Sequence, residues 1–426
     1  MSRRRTAVVL TCAYGVAQLD RNAINLLLPA ISADLDLTDT QAGLLSGLAF
    51  AVLFSITSIP IGVLADRIDR RWILGLGLTA WSGLTALCAA MRSFPALFAV
   101  RLGVGVGEAT LAPCAYPILT EIFPKSFTAR AIGLYVAGAG LLSGIGIAAT
   151  GRLLDILAAS QVFGGLAPWR AVFVIIAIPG LALALLSPTI SPGSRALERE
   201  PSAGPAGGAQ ILTATRVPIL LYCGSAAFYA VLYILLVWTP SIFIRDFGLT
   251  AAAAGNLLGG EQVLAGVFGT LSGAWLADRS GPAERVRTAL AIASLGLAAL
   301  AAGLLTVALA QNAALAAAGA LAGALIGGLG TSLLPMAVQE SSDPAARSRA
   351  TAVFMLAINL FGTGLGPPVA GAISDRMGPH HLRLAAALAG GVIGIAGIAM
   401  LLGLRRALGR QPTGRDSLAQ SLSSMH

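Results

Sequence analysis

The sequence predicts an all-α membrane protein: twelve transmembrane helices in two pseudo-symmetric six-helix bundles. Three observations predict it. Of the 426 residues, 56% are apolar and 11% charged, against about 25% charged in an ordinary soluble domain, which excludes a water-soluble enzyme. Apolar stretches of about 20 residues, each able to cross roughly 30 Å of hydrocarbon as a helix, recur along the whole chain. Short polar words also return near half the chain length. Leu64-Ala65-Asp66-Arg67 recurs as Leu276-Ala277-Asp278-Arg279, and Leu37-Thr38 followed by Gly43 recurs as Leu249-Thr250 followed by Gly255, both at an offset of 212.

The first helix, 7–30, follows Arg3-Arg4-Arg5 and runs past Cys12 to Pro29 without a small-residue cleavage site. Helix 2, 41–64, stops at Asp66-Arg67, and helix 3, 72–91, starts after Arg70-Arg71. Helix 4, 94–121, is interrupted by Arg101 and Glu108; helix 5, 129–151, and helix 6, 169–188, complete the first half. The stretch 189–215, with Pro192, Arg195, Glu198, Arg199, Glu200, Pro201 and Pro205, is the one long polar interruption and reads as a linker. Helix 7, 216–243, carries Tyr229, Tyr233 and Trp238, and helix 8, 252–276, carries Glu261 and stops at Asp278-Arg279. Helices 288–309, 313–338, 349–372 and 382–404 finish the second half. The expected organisation is a bundle at 1–188, a linker at 189–215, a bundle at 216–404 and a tail at 405–426. A later echo supports the duplication: Arg130-Ala131 with Gly151 and Asp155 returns as Arg349-Ala350 with Gly371 and Asp375.

Lys and Arg set the orientation. With both termini inside, the inner segments hold 20, the outer segments 6, and Arg21 and Arg101 lie within helices; the excess predicts cytoplasmic termini. The basic residues sit in short clusters between apolar runs, so the net charge of +9 reads as topology and not as a nucleic-acid surface. The expected partners are the lipid bilayer and a small-molecule or lipid substrate, with the chain a monomer. Its 27 Arg to one Lys, with abundant Ala and Gly, suggest GC-rich bacterial coding and hence an inner membrane. The four cysteines lie in apolar runs without CxxC spacing, so no disulfide framework, zinc site or other metal site is expected.

Gly62-Val63-Leu64-Ala65-Asp66-Arg67-Ile68-Asp69-Arg70-Arg71 resembles the loop signature of the major facilitator superfamily, Gly-x-x-x-Asp-Arg-x-Gly-Arg-Arg, between its second and third helices. Asp69 stands where that family usually has Gly, which puts the tight turn expected there in question. Leu19-Asp20-Arg21, Trp81-Ser82 and Arg101-Leu-Gly-Val-Gly-Val-Gly-Glu108-Ala109 are similar to the Spinster branch, which includes lysolipid and sphingosine-1-phosphate exporters. The resemblance implies the major facilitator fold and transport by alternating access.

Charges near a helix centre in a bilayer cost about 2.5–3.5 kcal/mol each, so embedded ones need a reason. They are few: Asp20 and Arg21 on helix 1, Arg101 and Glu108 on helix 4, Glu261 on helix 8. At about 100° per residue, Tyr14, Gln18, Arg21, Asn22 and Asn25 share roughly a 100° arc, a polar stripe facing a watery cavity. Asp20 points away from that stripe toward packed protein. Entering from opposite sides, Asp20 and Arg101 both lie about 20 Å from the cytoplasmic side and are level, while Glu108 is about 10 Å nearer the cytoplasm. A carboxylate alternating between an arginine and a proton can couple proton movement to conformation. Asp20, Glu108 and Arg101 are therefore the expected coupling residues, with a structural ion-pair cluster as the alternative. Arg21, Tyr14, Gln18, Asn22, Asn25, Tyr229, Tyr233 and Glu261 are the expected substrate contacts. Glu261 admits three readings: a second coupling site, a polar cavity contact, or a hydrogen bond between helices.

At the cytoplasmic edge, Asp66, Arg67, Arg70, Arg71, Asp278 and Arg279 are the expected gate, because an aspartate there can latch onto the positive N-terminus of a helix in the other half. Gly103, Gly105 and Gly107, Gly140 and Gly144, and Gly362, Gly364 and Gly366 read as close-packing positions, with helices 5 and 11 as the inter-half seam. The expected function is secondary active transport, coupled to protons with no bound cofactor, of an amphipathic anionic lipid such as a lysolipid or sphingoid phosphate. Small organic anions are the alternative cargo. A membrane-embedded lipid-modifying enzyme is disfavoured, since neither HExxH nor GxSxG occurs.

Overall fold

A computed structural model describes residues 3–160, 167–190, 218–281, 284–343, 346–378 and 380–409. Twelve helices run through these residues. The first six are α1 (Arg3–Leu35), α2 (Asp39–Ala65), α3 (Arg70–Cys88), α4 (Phe94–Ile122), α5 (Lys125–Ser160) and α6 (Pro168–Leu186). The second six are α7 (Ile219–Arg245), α8 (251–278), α9 (Arg285–Leu309), α10 (Ala313–Glu340), α11 (347–377) and α12 (Leu382–Gly409). Nine, among the described residues, are long and apolar enough to span a bilayer. The other three are α1, α3 and α8.

The helices outrun their predicted limits: α1 continues to Leu35 and α5 to Ser160. Hydropathy registers only the part of a helix that needs hydrocarbon, and polar turns protruding from it stay hydrogen-bonded without that signal. Of the predicted linker, only Thr189 and Ile190 fall among the described residues; of the tail, 405–409 continue α12 and the rest lies outside them.

Two turns show the repeat in backbone form. Asp36 (φ 50°) and Gly248 (φ 65°) take the left-handed conformation 212 positions apart. Each is followed by a threonine N-cap: Thr38 accepts from the Gln41 amide in a capping box, and Thr250 accepts from the Ala253 amide. The site of the missing loop glycine is resolved differently. Asp69 has φ −57° and caps α3 by accepting from the Arg71 amide at 3.0 Å, so the turn is closed by a side-chain cap in place of a left-handed residue.

Within the first half α1 packs on α5 and α6, α3 on α4 and α6, and α2 on α4; within the second α9 packs on α10 and α12, and α7 on α11 and α12. The halves meet chiefly along two seams, α2 with α11 and α5 with α8, and α1 also packs against α7. Helices 5 and 11 thus both lie at the seam, but as partners of α8 and α2, not of each other. A Cβ on Gly43 would meet the Pro367 carbonyl at 2.8 Å, one on Gly47 the Gly364 carbonyl at 2.7 Å, and one on Gly144 the Gly259 carbonyl at 2.7 Å. Gly371 and Gly151 abut the Asp39 and Ala251 carbonyls in the same way, while Gly140 has open space beside it.

The end bearing the N-terminus (near end) and the opposite end (far end) differ in packing. At the far end, Leu26, Leu45, Leu154, Trp238, Leu258 and Ala370 belong to one apolar core drawn from both halves. At the near end, Leu10, Leu74, Ile118 and Tyr135 form a separate cluster within the first half. The near segments of α8 (Thr270–Asp278) and α11 (Arg347–Ala357) pack within their own half.

Candidate functional site

Between the halves lies a cavity of about 210 Å³. On one wall, α1 and α4 exchange two parallel ion pairs. Asp20 Oδ2 accepts from Arg101 Nη1 at 3.0 Å and its Oδ1 from Thr85 Oγ1 at 3.0 Å. One residue further along α1, Arg21 Nε donates to Glu108 Oε2 at 2.8 Å. Asp20, Arg101 and Glu108 are 3%, 1% and 1% exposed, so these are desolvated charges that depend on one another. The spacing explains the arrangement: residues 101 and 108 are two turns apart on one face of α4, and adjacent Asp20 and Arg21 point apart, one to each.

The pairing assigns Arg21 a double position. Its guanidinium carbon lies 4.3 Å from the Phe50 ring centroid and 4.8 Å from that of Phe54, a cation–π seat supplied by α2. Glu108 takes the Nε–H, and among the described residues the terminal amino groups make no hydrogen bond to protein while the side chain lines the cavity. Glu108 Oε1 and Arg101 Nε are buried without hydrogen-bond partners.

Of the residues expected to touch substrate, Gln18, Arg21, Asn22, Asn25, Tyr229, Tyr233 and Glu261 line this cavity, as does Arg101. Tyr14 does not. It stacks on Tyr135 of α5 with centroids 4.9 Å apart, and Tyr135 meets Tyr116 of α4 edge-on at 5.6 Å. Sequence reasoning missed Asn359 and Thr363, which enter from within a π-helical stretch of α11, Ile358–Gly364. A lone Asn in an apolar run was the available signal; the π turn that re-aims it had none. A second π turn, Leu264–Gly269, begins three residues after Glu261. Such turns frequently mark functional positions in helices.

The near-end charges stay within their own half. Arg70 is buried, donating to Glu121 Oε1 at 2.8 Å and to the Ala65 carbonyl at 3.2 Å, with Asp66 at 3.7 Å. Arg71 pairs with Asp69 at 2.6 Å, and that hydrogen bond holds the Asp69 carboxyl below the usual carboxylate range. Arg67 is exposed, Arg279 lies over the Trp275 ring at 3.5 Å, and the side chain of Asp278 lies outside the described residues. The expected latch of Asp66 onto a helix of the other half is therefore not made in this conformation, in which the near segments stand apart.

Carboxylates do latch helix ends at the far end. Asp155 of α5 accepts from the amides of Ala251 and Ala252 at 3.1 and 2.8 Å, capping α8. Asp375 of α11 accepts from the amides of Asp39 and Thr40, both at 2.9 Å, and from the Thr40 hydroxyl, capping α2. These are the two echoed sequence elements, brought together crosswise. Arg245 Nη1 to Asp39 Oδ1 at 2.6 Å and Ser374 Oγ to Asp39 Oδ2 at 2.7 Å reinforce the second latch. Nearby, burial pushes the Asp246 carboxyl up, partly offset by Arg383 and Arg245.

A family model described as Major Facilitator Superfamily matches residues 10–360 and 221–425. The chain is 28% identical over 365 residues to an "MFS-type efflux pump" of Mycolicibacterium smegmatis, covering 84% of this chain and 81% of that protein. It is 32% identical over 178 residues to a "Probable L-galactonate transporter" of Escherichia coli, covering 42% of this chain and 37% of that protein. A crystal structure of a bacterial homolog to the human lysosomal transporter Spinster, in an inward-facing and occupied conformation, superposes with a TM-score of 0.75 at 24% identity. That match covers 95% of this chain and 96% of the other, and its likeness is one of fold.

Proposed function

The chain belongs to the major facilitator superfamily and is a multi-pass secondary transporter, not an enzyme; from that premise we propose that it carries an organic anion by alternating access, coupled to protons through Asp20, Glu108 and Arg101. One observation carries this reading: Arg21 is shared between a buried carboxylate and the cavity. While Glu108 is ionised it neutralises Arg21. A proton on Glu108 removes that charge, and a desolvated guanidinium then needs another anion. The acid group of a substrate, entering the cavity, supplies it through charge-assisted hydrogen bonds. Proton and anion thereby bind together, and the Asp20–Arg101 pair one residue away responds to the same change of charge. With the near end taken as cytoplasmic, the conformation is inward-open, with the far end sealed by the shared core and the Asp155 and Asp375 latches.

The cargo we propose is an amphipathic anion such as a lysolipid or sphingoid phosphate. The apolar and aromatic wall from α7, with Leu232, Tyr233 and Leu236, suits a chain lying along the second half. A second reading, a small organic anion, is favoured by the cavity's volume and its amide-rich lining of Gln18, Asn22, Asn25 and Gln262. The similarity to a probable L-galactonate transporter is consistent with it. Flux into proteoliposomes under an imposed pH gradient tests the function, and competition between an anionic lysolipid and a sugar acid separates the cargoes. Accumulation unaffected by collapsing the gradient would remove the proton from the mechanism.

A further inference from the structure

We propose that Glu261 is the ammonium acceptor of the substrate site, so that the favoured cargo carries a protonated amine as well as an acid group. The inference rests on the organic-anion reading of Arg21 and adds the opposite pole. Every other charge deep in the described helices is paired: Asp20 with Arg101, and Arg21 with Glu108. Glu261 is 5% exposed and lines the cavity, yet among the described residues it makes no ion pair or hydrogen bond, and Oε1 is buried without a partner. Its neighbour Gln262, also in the lining, donates to Ser143 Oγ of α5 at 3.3 Å.

An ionised carboxylate so placed needs a positive ligand, and the cavity wall suits a substituted ammonium. Tyr229 commits its hydroxyl to the Thr331 carbonyl at 3.2 Å, and Tyr233 lines the same cavity. Aromatic rings attract ammonium groups through their π faces. Arg21 belongs to α1 and Glu261 to α8, so a zwitterion spanning them is gripped by both halves at once. A cargo with an acid alone would leave an ionised Glu261 uncompensated on binding.

The test uses the full-length protein in nanodiscs and two matched ligand pairs. One pair is a lysophosphatidylethanolamine and the lysophosphatidylglycerol of the same acyl chain; the other is 2-amino-2-deoxygluconate and gluconate. Within each pair only the ammonium differs appreciably, and between pairs the tail separates a lipid source from a sugar-acid source. In at least one pair the amine-bearing ligand is expected to bind about tenfold tighter, which corresponds to about 1.4 kcal/mol. Glu261→Gln is expected to bring that ratio near one, and Glu261→Asp to keep part of it. The melting temperature of each variant without ligand reports folding independently. Equal affinity within both pairs overturns the proposal, as does a preference that survives Glu261→Gln in a folded protein. A Glu261-dependent stabilisation by Na⁺ with no amine preference also overturns it. Failure of all four ligands to bind removes the organic-anion reading, and this proposal with it.

Discussion

Asp20 and Arg21 are neighbours in sequence with different partners, and that divergence carries the sharpest expectation at the residue scale. Asp20→Asn and Glu108→Gln are each expected to abolish gradient-driven accumulation in proteoliposomes while leaving melting and monodispersity near wild type, since amide isosteres keep the shape and remove the charge. Accumulation retained by both variants would make the cluster a structural ion-pair group. Asp69 gives a second expectation, through its cap on α3. Its carboxyl is depressed by the Arg71 hydrogen bond. A depressed group contributes stability above its ordinary pKa and loses it as pH falls through the folded value. Asp69→Ala should therefore destabilise by about 1 kcal/mol at pH 7, with the gap closing below about pH 4, as read by melting curves across that range. The embedded charges were legible because charge in an apolar run is conspicuous. Which charge met which was not: helical phase correctly turned Asp20 away from the cavity, but Glu108's reach to Arg21 depends on the contact between α1 and α4. Tyr14 shows the same limit, since its phase matched the polar stripe and aromatic stacking on Tyr135 took it elsewhere.

Helices meet here through their ends and their glycines. Each far-end latch sets a carboxylate on the N-terminus of a helix from the other half, an interaction of about 0.3–1 kcal/mol when exposed. Removing both should shift an equilibrium between far-closed and far-open states by roughly 3- to 30-fold. The Asp155→Asn, Asp375→Asn double variant is accordingly expected to show a larger far-open fraction in spin-label distance distributions across that end. Unchanged distributions would mean that the glycine seams alone hold it shut. In the same measurement Gly144→Leu should also open the far end, because its side chain would have to displace the Gly259 backbone. The sequence reading anticipated carboxylate latches but put them at Asp66 and Asp278, where the loop signature is conspicuous. The echo of Asp155 by Asp375 was visible too, but a helix-end cap depends on which helix start lies opposite, and no periodicity carries that. The π turns in α8 and α11 were illegible for a related reason: one inserted residue per turn leaves composition and hydropathy unchanged.

For the whole molecule, apolar runs made all twelve helices readable, and the offset of 212 anticipated the pairing of Asp36 with Gly248 and of Thr38 with Thr250. Protruding helix turns and the choice of seam partners escaped, because hydropathy reports contact with hydrocarbon and says nothing about which neighbour a helix selects. The arginine bias makes a global expectation: reporter tags at Ser202 and His426 should both read cytoplasmic, and a periplasmic signal from either would reverse the inward-open assignment. The apolar core that joins the halves at the far end runs on through the second half, whereas the separate near-end cluster belongs to the first half alone. Separating the halves completely would strip that common core, so global unfolding should be one cooperative event even in a chain built by duplication. Local opening should begin elsewhere. In hydrogen-exchange measurements, the slowest amides are expected around Leu26 of α1 and Trp238 of α7, protected to a common free energy, while the near segments of α8 and α11 exchange through smaller openings.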